Sequence, residues 1–342
     1  TWAIIVTSLS TSTIITLSST HWLLAWLGLE LNTLSMLPIM IKPHHPRATE
    51  ATTKYFIIQA TSAALILFTS TLNAWETGQW NITTTSSTIT ATMLTAAITL
   101  KLGLAPMHFW YPEVLQGSTM NTAMIISTWQ KIAPLTLLYL TINHLPTTTL
   151  LVIGLTSALI GGWTGLNQTQ TRKILAFSSI AHMGWVVTAL SLTPSLATLT
   201  LLTYMMMTTT MFLSLNTTLS KTLTDIGTTW SHSPALMTAT MFTLLSLGGL
   251  PPLTGFMPKW LILKELTTTG LITMSTTLAL ATLPSLFFYT RMAYLTTLTA
   301  PPSTSNTEQK WRFKTNHMSN MSPTITLSTM LLPTTPLLYM TI

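Results

Sequence analysis

Apolar runs of about 20 residues alternate with short polar connections from one end of the chain to the other. Each run is long enough to cross a hydrocarbon layer of roughly 30 Å as a helix. With turn residues as punctuation, the pattern predicts about eleven spans. They lie near 2–20, 22–41, 49–73, 84–104, 119–142, 147–166, 174–192, 195–217, 234–262, 270–297 and 321–341. The polar connections include Lys42–Glu50, Asn167–Lys173, the segment around Lys221 and Asp225, and Ser305–His317. The fold class this implies is all-α: a polytopic membrane protein forming one transmembrane domain over residues 1–342.

Composition strengthens that picture. Only 6% of the 342 residues are Asp, Glu, Lys or Arg, against about 25% in a soluble domain. A chain this long cannot cover a water-facing surface with so few charges. Threonine is frequent even inside the apolar runs, as in Thr198–Leu213. Its hydroxyl can bond the carbonyl three or four residues back, which makes it tolerable in a membrane helix. Cysteine is absent, which excludes disulfides, thiolate-held Fe–S clusters and cysteine-ligated structural zinc within the chain. The sequence opens at Thr1 in an apolar run, without a basic segment or cleavage site. No signal peptide is therefore read, and a few residues are expected to precede Thr1.

Loop charges orient the spans. The connections on the N-terminal side hold Lys42, Arg47, Arg172, Lys173, Lys221, Lys310, Arg312 and Lys314, whereas the opposite side holds only Lys264. Such a bias places the N-terminus on the side from which the chain was inserted. The basic residues are dispersed over short loops, which argues against a nucleic-acid-binding patch.

Subtracting the loops leaves Glu30 in span 2, Lys101 in span 4, Lys131 in span 5 and Lys259 in span 9. Lys54 and Arg291 lie near span ends, where long basic side chains reach the interface. An ionised group at bilayer depth is costly and faces a bundle interior or a wet cavity. One glutamate cannot neutralise three lysines, so at least two lysines must be uncharged or reached by water. Two readings fit: structural ion pairs that help helices pack, or a proton relay. His182 lies mid-span and His108 follows Pro106; each fits a packing histidine as well as a relay member. Metal and haem ligation are disfavoured, because no close histidine pair falls within a span. The glycines around Gly154–Gly165 lack the flanking features of a dinucleotide site and are read as close helix packing.

Two spans carry breakers. Span 9 contains Gly248, Gly249, Pro251 and Pro252, with Gly255, Pro258 and Lys259 following. In span 4, Lys101 precedes Gly103 and Pro106 and an aromatic stretch to Pro112. Non-helical backbone at membrane depth persists only where protein buries it or water solvates it. Both spans are therefore read as discontinuous helices, each placing a lysine beside a local polar site.

The stretches HWLLAWLGLELNTLSMLPIM, PRATEATTKYF, KLGLAPMHFWYPEVLQG, GLNQTQTRKILAFSSIAHMGW and LSLGGLPPLTGFMPKW resemble the subunit 2 family of vertebrate mitochondrial NADH–ubiquinone oxidoreductase, respiratory complex I. The resemblance covers essentially the whole chain. It implies an antiporter-like core subunit of the membrane arm in the inner mitochondrial membrane, with the N-terminus in the matrix and the C-terminus on the intermembrane side. The implied form is short, lacking three N-terminal helices found in other family members. Glu30 in LGLELN matches a glutamate that pairs with a lysine on a discontinuous helix, and Lys101 in KLGLAP matches that lysine. Lys131 in TWQKIAP matches the central lysine of a hydrophilic axis, and Lys259 in GFMPKW the lysine of the second broken helix. His182 and His108 match histidines along or beside that axis. The implied function is proton translocation, with NADH, FMN, Fe–S clusters and ubiquinone handled by other subunits and no cofactor in this chain. The implied partners are lipid and neighbouring membrane-arm subunits, including antiporter-like ones. A scaffold without a proton path and a stand-alone cation/proton antiporter remain open alternatives.

Overall fold

The computed structural model of the protein describes residues 2–85, 87–231, 233–297 and 321–335. The basic connection Ser305–His317 and the end of the span expected at 321–341 lie outside the described residues. Every regular element among them is helical, apart from two isolated backbone bridges. In chain order they are α1 (Trp2–Ser18), α2 (Trp22–Ile41), α3 (Pro46–Thr77), α4 (Thr88–Leu102), α5 (Trp110–Gly117), α6 (Met120–Ser127) and α7 (Ile132–Thr141). They continue with α8 (Thr147–Gly165), α9 (Thr171–Leu192), α10 (Pro194–Thr218), α11 (Leu223–Gly227), α12 (Pro234–Gly248), α13 (Phe256–Thr268), α14 (Ile272–Thr296) and α15 (Met321–Met330).

Among the described residues, six helices are long and apolar enough to cross a membrane: α2, α3, α8, α9, α10 and α14. Helices α1, α4 and α12 are apolar but shorter. Threonine behaves inside them as its chemistry demands. Thr200 donates to the Ala197 carbonyl at 2.8 Å, Thr208 to Tyr204 at 2.9 Å and Thr210 to Met207 at 2.7 Å. Each of these hydroxyls thus finds an acceptor within its own helix, and none needs hydration there.

The chain divides into two compact units, Thr1–Thr156 and Ser157–Ile342. In the first, α2 packs on α1 and α3, α3 on α4 and α5, and α7 on α1, α2 and α4. In the second, α9 packs on α10 and α13, while α12 packs on α10, α14 and α15. The small residues read as packing positions serve that purpose. A Cβ on Gly161 would stand 2.7 Å from the Ala181 backbone nitrogen, so only glycine permits that approach of α8 to α9.

The two basic residues near span ends differ in role. Arg291 reaches the Leu166 carbonyl at 2.9 Å, capping the end of α8 as a cation does. Lys54 lies near the surface and forms both of the ion pairs found among the described residues. It contacts Glu50 at 2.6 Å on its own helix and Glu113 on α5 at 2.7 Å. The second pair ties the start of α3 to α5.

Candidate functional site

Where the helices stop follows from proline geometry. A proline within a helix clashes with the carbonyl four residues earlier, and it is harmless in the first turn, where its missing N–H has no partner to lose. Pro112, Pro134 and Pro258 are each the third residue of α5, α7 and α13. The residues four before them, His108, Gln130 and Thr254, all fall in the non-α-helical segments that precede those helices. Between α4 and α5, Gly103 takes a left-handed conformation (φ 72°) and closes α4. Between α6 and α7 the chain passes through one tight turn at Trp129–Lys131. Between α12 and α13, Gly249 at φ 83° closes α12 before the helix restarts at Phe256.

The interruption at residues 128–131 differs from the continuous span expected over 119–142. Pro134 clashes with the place the Gln130 carbonyl would take in a continuous helix, and the chain breaks there. Pro38 and Pro284, by contrast, sit inside α2 and α14 without ending them. Proline alone was therefore an ambiguous signal.

Each of the three lysines left inside the spans stands at a helix interruption. Lys101 is in the last turn of α4. Lys131 follows the end of α6. Lys259 belongs to α13, but its Nζ reaches back to donate to the Gly248 carbonyl at the end of α12, at 2.9 Å. Unpaired carbonyls at a helix C-terminus carry partial negative charge and favour a cation. At Lys259 the fold thus supplies a backbone carbonyl as the partner of the ammonium.

In the first unit the lysines are buried. Lys101 is 6% exposed and Lys131 3%. The Lys101 ammonium and Glu30 Oε2 are buried and hydrogen-bonded to no protein atom among the described residues. Glu30 and Lys101 make no direct ion pair among the described residues. The Lys131 ammonium lies 4.8 Å from the centroid of the Tyr111 ring, a cation–π contact. Gln59 donates to the Lys101 carbonyl at 3.2 Å, filling one acceptor that the interruption leaves open. His108 is buried, with Nδ1 3.3 Å from the Pro106 carbonyl and its ring 4.4 Å from that of Phe109. These are the contacts of a packed histidine at the α4–α5 connection.

In the second unit His182 and Lys259 come together. They line one small cavity of about 20 Å³ with Trp185, Thr200, Thr203 and Tyr204, enough for about one water molecule. Glycine is required here for two reasons. A Cβ on Gly249 would lie 2.9 Å from Lys259 Nζ, and one on Gly255 would overlap the Ser246 carbonyl oxygen at 1.8 Å. The folded-back lysine and the tight crossing of the two half-helices both depend on the missing side chains. His182 Nε2 lies 3.3 Å from the Tyr289 hydroxyl, and the Tyr204 ring sits 5.7 Å from the imidazole. Tyr289 and Tyr204, both about 1% exposed, are site residues that sequence reasoning missed. Tyr289 lies 107 residues from His182, and no local pattern marks either tyrosine. Among the described residues no group of three or more His, Asp or Glu converges as a metal site would.

Comparison with known proteins agrees with this architecture. Residues 19–284 match the family model described as NADH:quinone oxidoreductase/Mrp antiporter, transmembrane, and residues 286–339 match that of the NADH dehydrogenase subunit 2 C-terminus. A relative from Carassius auratus named NADH-ubiquinone oxidoreductase chain 2 is 54% identical, over 97% of this chain and 96% of its own length. Among solved structures, a chain of respiratory complex I from Thermus thermophilus superposes with a TM-score of 0.80 at 24% identity, covering 96% of this chain and 78% of that one. A chain of an Mrp complex from a Dietzia species gives 0.84 at 15% identity, covering 98% of this chain and 75% of that one. Both structures show the same fold. The chain belongs to the NADH:quinone oxidoreductase/Mrp antiporter transmembrane family, in the branch of the NADH-ubiquinone oxidoreductase chain 2 proteins.

Proposed function

We propose that this chain is a proton-translocating subunit of the membrane arm of respiratory complex I, and that Glu30, Lys101, Lys131, His182 and Lys259 carry the protons. The carrying observation is that all three intramembrane lysines stand at helix interruptions, and that the Lys259 ammonium takes a backbone carbonyl there as its partner. A structural ion-pair network would need carboxylates facing the ammonium groups, and the ion pairs found among the described residues involve neither Lys101 nor Lys259. His108, held by its own loop, is assigned a lesser part.

The mechanism is electrostatic. Two unit charges about 4 Å apart attract by about 4 kcal/mol at an effective dielectric near 20. That is close to a thousandfold in a protonation equilibrium. Approach of Glu30 to Lys101 therefore holds a proton on the lysine, and withdrawal sends it towards Lys131. In the second unit Lys259 has a backbone carbonyl on one side and the His182 cavity on the other. It can rest on Gly248 or hand its proton through a water to the imidazole. Tyr289 fixes the ring that receives it. The chain performs no redox step; NADH, FMN, Fe–S clusters and ubiquinone belong to other subunits.

The same reading sets the chain in the inner mitochondrial membrane as one antiporter-like domain of about eleven crossings. The spans containing α4 and α12–α13 are discontinuous, and the N-terminus faces the matrix. Neighbouring membrane-arm subunits, antiporter-like ones included, contact its lipid-depth faces. The test is Glu30→Gln in the intact complex reconstituted in liposomes, with NADH oxidation and proton uptake followed together. Loss of pumping with electron transfer preserved in uncoupled vesicles supports the relay. Undiminished pumping removes Glu30 from it, and cation/proton exchange by the purified chain alone would instead favour an independent antiporter.

A further inference from the structure

The break at Lys131 is held from two sides. Gln130, next to that lysine, donates from Nε2 to Asn32 Oδ1 on α2 at 3.0 Å. Its other amide atom, Oε1, accepts from the Tyr55 hydroxyl on α3 at 3.4 Å. Asn32 and Tyr55 are each about 1% exposed, while Gln130 itself is half-buried. An amide held at both its donor and its acceptor end has less freedom to turn than one held at a single end. The turn Trp129–Lys131, only three residues long, is therefore anchored through its middle residue.

Both anchors sit on the helices that carry the upstream charges. Asn32 follows Glu30 by two residues on α2. Tyr55 precedes Gln59 by one helical turn on α3, and Gln59 bonds the Lys101 carbonyl at 3.2 Å. A shift of α2 or α3 on moving charge between Glu30 and Lys101 thus pulls directly on the Gln130 amide.

We propose that Gln130 is a positioning residue for proton transfer, clamped between Asn32 and Tyr55 so that displacement of α2 and α3 resets the place of the Lys131 ammonium over the Tyr111 ring. The inference rests on the relay reading above and adds its mechanical link. Lys131 passes the proton; Gln130, Asn32 and Tyr55 do not carry it but decide where the carrier stands.

The experiment is a pair swap in the intact complex, reconstituted in liposomes and scored as protons moved per electron transferred. Gln130→Asn shortens the reach to Asn32 and is expected to lower that ratio roughly two- to tenfold, the range for losing one buried hydrogen bond. Adding Asn32→Gln to the same chain restores the reach and is expected to recover most of the loss. A merely structural role would change how much complex assembles, not the ratio in what does. An unchanged ratio in Gln130→Asn, or a swap no better than Gln130→Asn alone, overturns the inference. If Gln130→Asn prevents assembly, Tyr55→Phe decides: it keeps the ring and deletes only the hydroxyl, and a normal ratio then counts against the clamp. Lys131→Met in the same assay separates the layers. Should Lys131→Met pump normally, the relay itself fails; should it lose pumping while the clamp variants do not, only the clamp fails.

Discussion

Gly249→Ala isolates the docking of Lys259 from the general stability of the fold. The residue lies at φ 83°, where a side chain costs about 1–2 kcal/mol of backbone strain. Its new Cβ would also stand 2.9, 3.1 and 3.2 Å from Nζ, Cδ and Cε of Lys259. A lysine end is flexible, so the side chain yields rather than the backbone. Yielding takes Nζ off the Gly248 carbonyl, a bond to a charged donor worth about 1.5–3 kcal/mol. The docked position should therefore lose roughly tenfold to a hundredfold in occupancy. Gly270 supplies the control, because it has the same φ of 83° and a Cβ there would meet no heavy atom within 4 Å. Gly270→Ala should lower thermal stability through strain alone and leave protons per electron unchanged. Gly249→Ala should lower both. The assay is thermal melting of the purified complex alongside proton uptake in liposomes. Native pumping in Gly249→Ala, with stability falling only as far as in Gly270→Ala, would refute the idea that the Gly248 carbonyl is a station for the lysine.

Tyr289→Phe keeps the ring and removes the hydroxyl beside His182 Nε2; pumping is expected to fall by up to about tenfold with assembly intact, read as protons per electron. Asp225→Ala breaks the box in which Asp225 accepts the Lys221 and Thr222 N–H groups and Thr222 caps α11. A loss of about 1 kcal/mol is expected in melting experiments, with no change in pumping. The same box is sensitive to acid: burial raises the Asp225 carboxyl, but its bonds from Thr222 and then Lys221 outweigh burial and hold it below its ordinary value of 3.8. Its contribution is therefore complete above that value and fades as pH falls through the lower, folded one, so amide exchange in α11 should quicken only at that acid edge. The Lys54 pairs to Glu50 and Glu113 are exposed, so added salt should speed amide exchange in α5 while leaving α9 unaffected.

Much of the architecture was legible because a bilayer allows few solutions. The boundaries of α2 and α8 fall within a residue of the apolar runs that foretold them, since helix length there is set by hydrocarbon thickness. The break at Gly249 was legible too, because glycine and proline act on their own backbone and need no partner. The break at Lys131 was not read, although Pro134 marks it in the same way that Pro258 marks α13. A lone proline also sits unbroken in α2 and α14, so its consequence depends on whether neighbouring groups satisfy the freed backbone and hold the turn. At Gln130 the turn is held, from Asn32 98 residues away and Tyr55 75 residues away. Pairings across that distance leave no periodic trace. The same holds for Tyr289 beside His182. The expected pairing of Glu30 with Lys101 came from the resemblance of LGLELN and KLGLAP to family motifs, which match residue types but do not fix side-chain distances.

On the proposed relay, Lys259 carries a proton rather than merely fastening two half-helices. Lys259→Met retains the length and apolar bulk of the side chain and removes only the ammonium. Measured in the reconstituted complex as protons moved per electron transferred, it should leave uncoupled NADH oxidation close to normal and abolish most of the proton yield of this subunit. A complex that assembles, oxidises NADH and pumps with the native ratio after that substitution would contradict the relay.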